Sequence, residues 1–315
     1  MQPRELNAVT LPFISVIIAH LNQPETLRHC LASLAGQAYP RDSYEVIVVD
    51  NGSSQSPAPI IAEFGGVRLE HEATPGPGPA RNRGAAVALG EVLAFIDADE
   101  IAERSWLLTI GRRLARQDAA RVLGGDVRIA YRNPDHLTML EAYESVFAYR
   151  QKEYIERHGF TGTGNLAVRR ADFKKIGGFP GIGLAEDRMW GRQARANGYR
   201  ITYVPEMVAF TPARHTPAEL KLKWDRHILH DFEEWRGDGR SIFAWVARAV
   251  AVAASSVLDV RRIVTSPRVW GIGPRVRAFG VLFAIRLYRA GVMLRVAAKP
   301  SMTAGVHSWN RPAAL

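Results

Sequence analysis

Residues 13–19, Phe-Ile-Ser-Val-Ile-Ile-Ala, form a run that is β-branched and almost wholly apolar. A run of this length without polar alternation predicts a strand buried on both faces. Polar positions then return. Leu27, Leu31 and Leu34 recur at helical spacing, and Asn22 is the expected cap of a helix opened by Pro24 and Glu25. Tyr39-Pro40-Arg41-Asp42 reads as a turn. Residues 45–49 form a second buried strand that ends in Asp50-Asn51-Gly52-Ser53. Strand, helix and strand in this order make the βαβ unit of an α/β fold.

The same patterning continues. A short helix is expected near 60–64 and an edge strand at 67–70. The Pro/Gly alternation of 74–79 is incompatible with regular structure and runs into a helix at 80–89. The third strong strand is 92–96. A helix over 106–117 with Ser105 as cap, a strand at 122–127 and a long helical pattern over 137–155 follow. A bend at 160–165 leads into a strand at 166–169 and a helical turn at 172–176. Ala185-Glu186-Asp187 opens a helix over 188–197, and short strands are expected at 201–204 and 207–210. An extended linker, 211–217, precedes a helix over 220–235.

Chemistry enters where strands end in acids. The apolar run 92–96 stops at Asp97-Ala98-Asp99-Glu100. Two carboxylates one residue apart at a strand end are oxygen ligands suited to a hard divalent cation, and a diphosphate binds such a cation. An acidic turn facing water has the same sequence. Asp50 stands just past its strand, at the edge where open α/β sheets bind ligands, although Asn51-Gly52 is also an ordinary turn pair. Arg81 and Arg83 near a helix start can hold an anion, or can lie on a plain surface helix. The loop before them is not a Walker loop, since no Gly-Lys-Ser/Thr follows, and no dinucleotide glycine pattern follows the first strand. The bend Gly162-Thr163-Gly164-Asn165 can line a pocket or simply connect two elements. Glu186 and Asp187 favour a helix dipole, and a carboxylate held there can also abstract a proton.

The chain has 315 residues, 47% hydrophobic and 23% charged, enough for one large domain or two modest ones. The single cysteine, Cys30, excludes an intrachain disulfide and a cysteine zinc cluster, and it is expected to pack inertly. Residues 1–12 carry Arg4 and Glu5 and do not read as a signal peptide, so a cytoplasmic location is expected. The net charge of +10 is concentrated: residues 241–300 hold ten Lys or Arg and one acid, Asp259, which leaves the first 240 residues near neutral.

Four pieces in order carry a resemblance: the opening strand with Asn22-x-Pro24 and Tyr39-Pro40; Val48-Val49-Asp50-Asn51-Gly52-Ser53; Gly78-Pro79-Ala80-Arg81-Asn82-Arg83-Gly84-Ala85 with Phe95-Ile96-Asp97-Ala98-Asp99; and Gly162-x-Gly164-Asn165 with Ala185-Glu186-Asp187. Over residues 13–210 the chain resembles family 2 glycosyltransferases of the bacterial cell-surface polysaccharide type. The resemblance implies a GT-A fold, an open mixed α/β sheet with flanking helices. It implies a nucleotide-sugar donor, a UDP-sugar, bound near Ala19, His20, Asp50, Arg81, Asp97, Ala98 and Asp99. It implies Mn2+ or Mg2+ on Asp97 and Asp99, with His215 as a candidate further ligand. Asp187 matches the general base of inverting members, with Glu186 beside it. Gly162, Thr163, Gly164 and Asn165 match part of the acceptor side. His20 departs from the Pro or Thr common in the first loop, and the second loop is unusually rich in proline.

The C-terminal pattern is different. Residues 242–258 are apolar apart from Arg248 and two serines, too short for a comfortable span. A second segment, 275–299, mixes large apolar residues with five arginines and a lysine. At about 100° per residue, Arg275, Arg286 and Arg289 share one face. Two divisions are expected, a catalytic domain over 1–240 and a basic segment of amphipathic helices over 241–315. Apolar helices edged with arginine suit an anionic membrane surface, and a pair of helices packed on the protein has the same composition. The expected enzyme is a metal-dependent, inverting glycosyltransferase acting on a lipid-linked or polysaccharide acceptor, peripheral on the inner face of the cell membrane, with a homo-oligomer compatible. A nucleotidyltransferase would want a lysine-bearing first loop where Ala19-His20-Leu21-Asn22 stands. A nucleic-acid-binding protein would want basic groups that track a backbone, and these are interleaved with apolar ones; nucleic acid is not an expected partner. A noncatalytic scaffold would not need Asp97, Asp99 and Asp187.

Overall fold

The computed structural model describes residues 10–115, 121–181 and 186–303. The strands are β1 (Ile14–His20), β2 (Tyr44–Asp50), β3 (Val67–His71), β4 (Val92–Ile96), β5 (Ile101–Ala102), β6 (Val122–Ala130), β7 (Asn165–Arg169) and β8 (Ile201–Pro212). The helices are α1 (Pro24–Ala35), α2 (Ala58–Ile61), α3 (Pro77–Val87), α4 (Trp106–Ala115), α5 (Met139–Phe147), α6 (Gln151–Glu153), α7 (Arg170–Ile176), α8 (Glu186–Ala196), α9 (Pro217–Gly237), α10 (Ile242–Leu258), α11 (Val260–Val264) and α12 (Ile272–Ala298).

The eight strands form one mixed sheet in the order β3-β2-β1-β4-β7-β6-β8-β5. β1, β2, β3 and β4 are parallel, and β7 enters antiparallel beside β4. The uniform apolarity of β1, β2 and β4 has a direct cause: alternate residues face different layers. Ile14, Val16 and Ile18 pack with Leu27, Leu31, Leu34, Trp106 and Ile110 of α1 and α4. Ile17, Ala19, Leu93 and Phe95 pack with Ala80 and Ala85 of α3, Phe173 of α7 and Trp190 of α8. Cys30 is buried in the first layer, and burial pushes its thiol well up, as an inert packing residue requires.

Several elements differ from their expectations for identifiable reasons. The cap of α1 is Gln23, without a side-chain cap bond; Asn22 takes a φ of 55° and accepts hydrogen bonds from Ser54 N–H and its hydroxyl. The two short strands expected near 201–210 are one strand, β8, through Pro205. The 137–155 pattern breaks into α5 and α6.

The chain divides into two compact units. Among the described residues, one comprises those from 10 to 128 with 150–211, and the other holds 129–149 with 212–303. The second unit has cores of its own. Leu137, Leu140 and Tyr143 pack with Leu220, Ile263, Leu282 and Ile285, and Ile228, Phe232 and Trp245 pack with Val292, Met293 and Val296.

Candidate active site

Strand register brings the acids to one edge. In the β1–β2 pairing His20 lies opposite Asp50, and in the β1–β4 pairing Ile17 lies opposite Phe95. The ends of three parallel strands therefore carry His20, Asp50 and, just beyond β4, Asp97 to the edge where open α/β sheets bind ligands. Antiparallel β7 pairs Asn165 with Ile96, which sets Gly162, Thr163 and Gly164 beside the same strand end.

Arg81 joins the parts. It is buried on α3 and donates through Nη2 to Asp97 Oδ1 at 2.5 Å and through Nη1 to Glu186 Oε1. Burial opposes its charge, but Glu186, Asp97 and Asp187 outweigh that and hold the guanidinium firmly protonated. The residues around it explain the Gly78-to-Asn82 pattern. A Cβ on Gly78 would lie 2.2 Å from Pro180 O, so only glycine lets the start of α3 approach that backbone. Asn82 brackets Phe179, donating to its carbonyl at 2.8 Å and accepting its N–H at 2.8 Å. The sequence alone does not assign Asn82 this anchoring role; its one signal is an amide between Arg81 and Arg83.

Asp187 Oδ1 accepts the Thr163 N–H at 3.2 Å. Burial raises the Asp187 carboxyl above its ordinary range against the pull of Arg81, and it raises Glu186 in the same way. A Cβ on Gly164 would meet Asp97 Oδ2 at 2.6 Å, so glycine is what permits this approach. Asn165 is different from its neighbours in the bend. Its side chain is fully buried, donates to Asp126 O and Met207 O at 2.9 Å each, and accepts Trp106 Nε1–H at 2.9 Å. Its hydrogen-bonding groups thus tie β7 to β6, β8 and α4.

At the other end of the strand edge, the Asp50 carboxylate lies 3.4 Å from His20 Nδ1 and 3.7 Å from His71 Nδ1, and it accepts the Ser53 N–H at 3.3 Å. His20 Nε2 accepts the Gln23 N–H at 3.3 Å, which leaves the ring proton on Nδ1, facing Asp50. Burial lowers the His20 pKa and keeps the ring neutral. Asn51 is more than a turn residue. It donates to Glu72 O and Thr74 O and accepts the Gly76 N–H, fastening the Pro/Gly loop.

His215 lies in the second unit. Its Nδ1 faces the Arg132 guanidinium, and its N–H donates to Glu219 Oε2 at 3.0 Å. Among the described residues no group of three or more His, Cys, Asp or Glu side chains is arranged to hold a metal. Asp97 and Asp99 still fit one. Both are partly exposed oxygen donors at a strand end, and Arg81 engages only one Asp97 oxygen. A magnesium-type ion is commonly held by one or two carboxylates and completed by substrate phosphates.

Comparison with known proteins agrees with this architecture. The model of the family described as Glycosyl transferase family 2 matches residues 15–177. Glycosyltransferase AglE of Haloferax volcanii is 33% identical over 222 residues, covering 68% of this chain and 72% of the relative. Probable glycosyltransferase YdaM of Bacillus subtilis is 26% identical over 231 residues, 69% of this chain and 54% of the relative. Among solved structures, the mannosyltransferase PcManGT from Pyrobaculum calidifontis, in complex with GDP-Man and Mn2+, superposes with a TM-score of 0.59 at 18% identity, covering 92% of this chain and 88% of that one. S. aureus TarS 1-349, in complex with UDP-GlcNAc, gives a TM-score of 0.51 at 16% identity over 95% of this chain and 93% of that one. The mixed sheet with flanking helices is thus the GT-A fold. The chain belongs to glycosyl transferase family 2 and is a glycosyltransferase.

Proposed function

We propose that this glycosyltransferase is metal-dependent and inverting, and that it moves a sugar from a UDP-sugar to a lipid-linked or polysaccharide acceptor. The observation that carries the reading is the double engagement of Arg81. One buried guanidinium holds Asp97, at the end of β4, and Glu186, at the start of α8 beside Asp187. The expected diphosphate side and the expected base are thus fastened to one cation.

In this reading the donor lies along the strand edge, its base against Asp50 and His20, and its diphosphate near Asp97 and Asp99. Those two carboxylates would hold Mn2+ or Mg2+, which supplies charge stabilisation for the leaving diphosphate. We assign no role in metal binding to His215, since the Arg132 guanidinium against its Nδ1 disfavours a second cation there. Asp187 takes the proton of the acceptor hydroxyl. The hydroxyl oxygen bonds the anomeric carbon as the bond from that carbon to the diphosphate oxygen breaks, and the electron pair leaves with the nucleoside diphosphate. One carboxylate suffices for this displacement, unlike the pair a hydrolase needs. The raised pKa of Asp187 makes it a better proton acceptor than an ordinary aspartate. The bend at Gly162, Thr163 and Gly164 borders the acceptor; the buried side chain of Asn165 supports that bend from below.

We place the enzyme at the inner face of the cell membrane, held there by the basic segment after residue 240, where a lipid-linked acceptor is presented. Titration calorimetry with UDP, GDP and dTDP, each with and without Mn2+, tests the donor assignment. Metal-dependent binding of UDP is expected. Tight binding of UDP without metal would remove the metal role, and preference for GDP would reassign the donor.

A further inference from the structure

Helices α10 and α12 bury apolar residues on their inner sides and carry further large apolar residues on the outside. On α10 the outward positions are Phe243, Ala247, Val250, Ala251, Ala254, Val257 and Leu258, at helical spacing. Phe243 is 84% exposed and Leu258 79%. The stripe continues through Trp270, 73% exposed, to Ile272, 82% exposed. On α12, Val276, Phe279, Phe283 and Leu287 continue one outward face. Several of the arginines are engaged by the protein itself. Arg286 donates to Asp259 Oδ2 at 2.5 Å, Arg289 stacks over Trp224 at 3.6 Å, and Arg248 on α10 pairs with Asp231 at 3.1 Å while covering Trp235 and Trp245. A helix on the surface of a soluble domain pairs a buried apolar face with a polar outer one.

We propose that this outward face, α10 with the turn through Trp270 to Ile272, lies embedded in a lipid surface at the boundary of headgroups and acyl chains. The inference rests on the membrane placement above and changes its physical basis from electrostatic adhesion to apolar insertion. Three observations select lipid as the occupant. First, residues 242–264 form a helical stretch that is by length and composition enough to cross a membrane, longer than the 242–258 run counted from sequence, and little of it is buried in the protein, whereas a core helix would be mostly buried. Second, α10 packs along its inner side, where Trp245 donates to Met293 O at 3.0 Å and Ala249 and Val252 join the core with Val292 and Val296, so only one side is free and the helix lies on the bilayer. Third, the charge on 241–299 is ten cations to the one acid, Asp259, which is tied to Arg262 and Arg286. The exposed Arg261, Arg277, Arg295 and Lys299 complement lipid phosphates. A second copy would oppose cations with cations.

The test is co-sedimentation of the full chain with vesicles of phosphatidylcholine alone and with added phosphatidylserine, at low and high salt. Binding to phosphatidylcholine that persists at high salt is expected, with a modest gain from phosphatidylserine. The triple variant Phe243→Glu, Val250→Glu, Val257→Glu changes exposed side chains only. It should lose at least about tenfold in vesicle partition while keeping nucleotide affinity. Nucleotide binding reports on the active site and vesicle binding on this face, so either reading can fail alone. Binding confined to anionic vesicles and abolished by salt would overturn the proposal. So would unchanged partition of the triple variant, or a wild-type dimer in sedimentation velocity that the variant converts to monomer.

Discussion

Arg81 and Asp187 make opposite demands on the same buried space, and variants separate them. Asp187→Asn keeps the shape and can still accept the Thr163 N–H. Its expected outcome is donor affinity within about twofold of wild type and transfer slowed by roughly 10²-fold or more, the usual contribution of a general base. Steady-state kinetics beside calorimetry measures both, and unchanged turnover would remove the base assignment. The pH sense follows from burial. Asp187 must be ionised to act, and burial raises its pKa, so the acidic limb of kcat/KM should lie above the ordinary aspartate range of about 3.9. Arg81→Ala removes the cation that opposes burial at Glu186 and Asp187. Leaving buried charge unpaired costs on the order of 3–5 kcal/mol. Carboxyls with raised folded-state pKa values stabilise the fold below their ordinary range and lose that contribution as pH rises through the raised values. The variant's Tm should therefore fall more steeply than wild type as pH rises, as calorimetry across pH would show.

At the scale of elements, the strand ends explain what was readable. Unalternated apolar runs at β1, β2 and β4 announced buried parallel strands, and the acids after two of them announced the edge. β7 stands where its pattern puts it but with a direction the pattern does not give, and β8 is one strand where two are expected. The direction of β7 depends on pairing across more than 60 positions of chain, and the continuity of β8 through Pro205 is a property of its neighbours, not of its own sequence. Asn165 is the case in point. Its place in the bend resembles an acceptor contact, but its two hydrogen bonds to the sheet and one to α4 appear only when β6, β8 and α4 are in position. Asn165→Ala should cost about 1–3 kcal/mol by leaving buried partners unsatisfied, read as a shift in denaturant midpoint at constant m-value. Gly164→Ala places a methyl against Asp97 Oδ2. It should weaken metal-dependent nucleotide binding more than it lowers Tm. The reverse ranking would mean that the glycine serves the fold and not the site.

At the scale of the molecule, composition located the basic segment but not the body to which it belongs. Net charge changes near residue 240, whereas packing changes near 128, 149 and 211. The reason is that α5 and the turn before it, far upstream in the chain, supply Leu137, Leu140 and Tyr143 to a core completed by Ile263, Leu282 and Ile285. No local pattern records that partnership. Removing 241–315 takes away α10, α11 and α12 and bares the apolar sides of α5 and α9, including Ile228 and Phe232. Transfer of buried apolar surface to water costs about 25 cal/mol per Å², and α5 and α9 keep only the part of that core they share through Leu220 and Trp224. The truncated chain is therefore expected to aggregate, seen as void-volume elution and loss of near-ultraviolet circular dichroism, instead of appearing as a soluble catalytic fragment. A monodisperse fragment that binds nucleotide with wild-type affinity would show that the second unit's helices are dispensable to the first. The triple variant on α10 is then the sharper instrument for the membrane question, because it alters the outward face without touching either core.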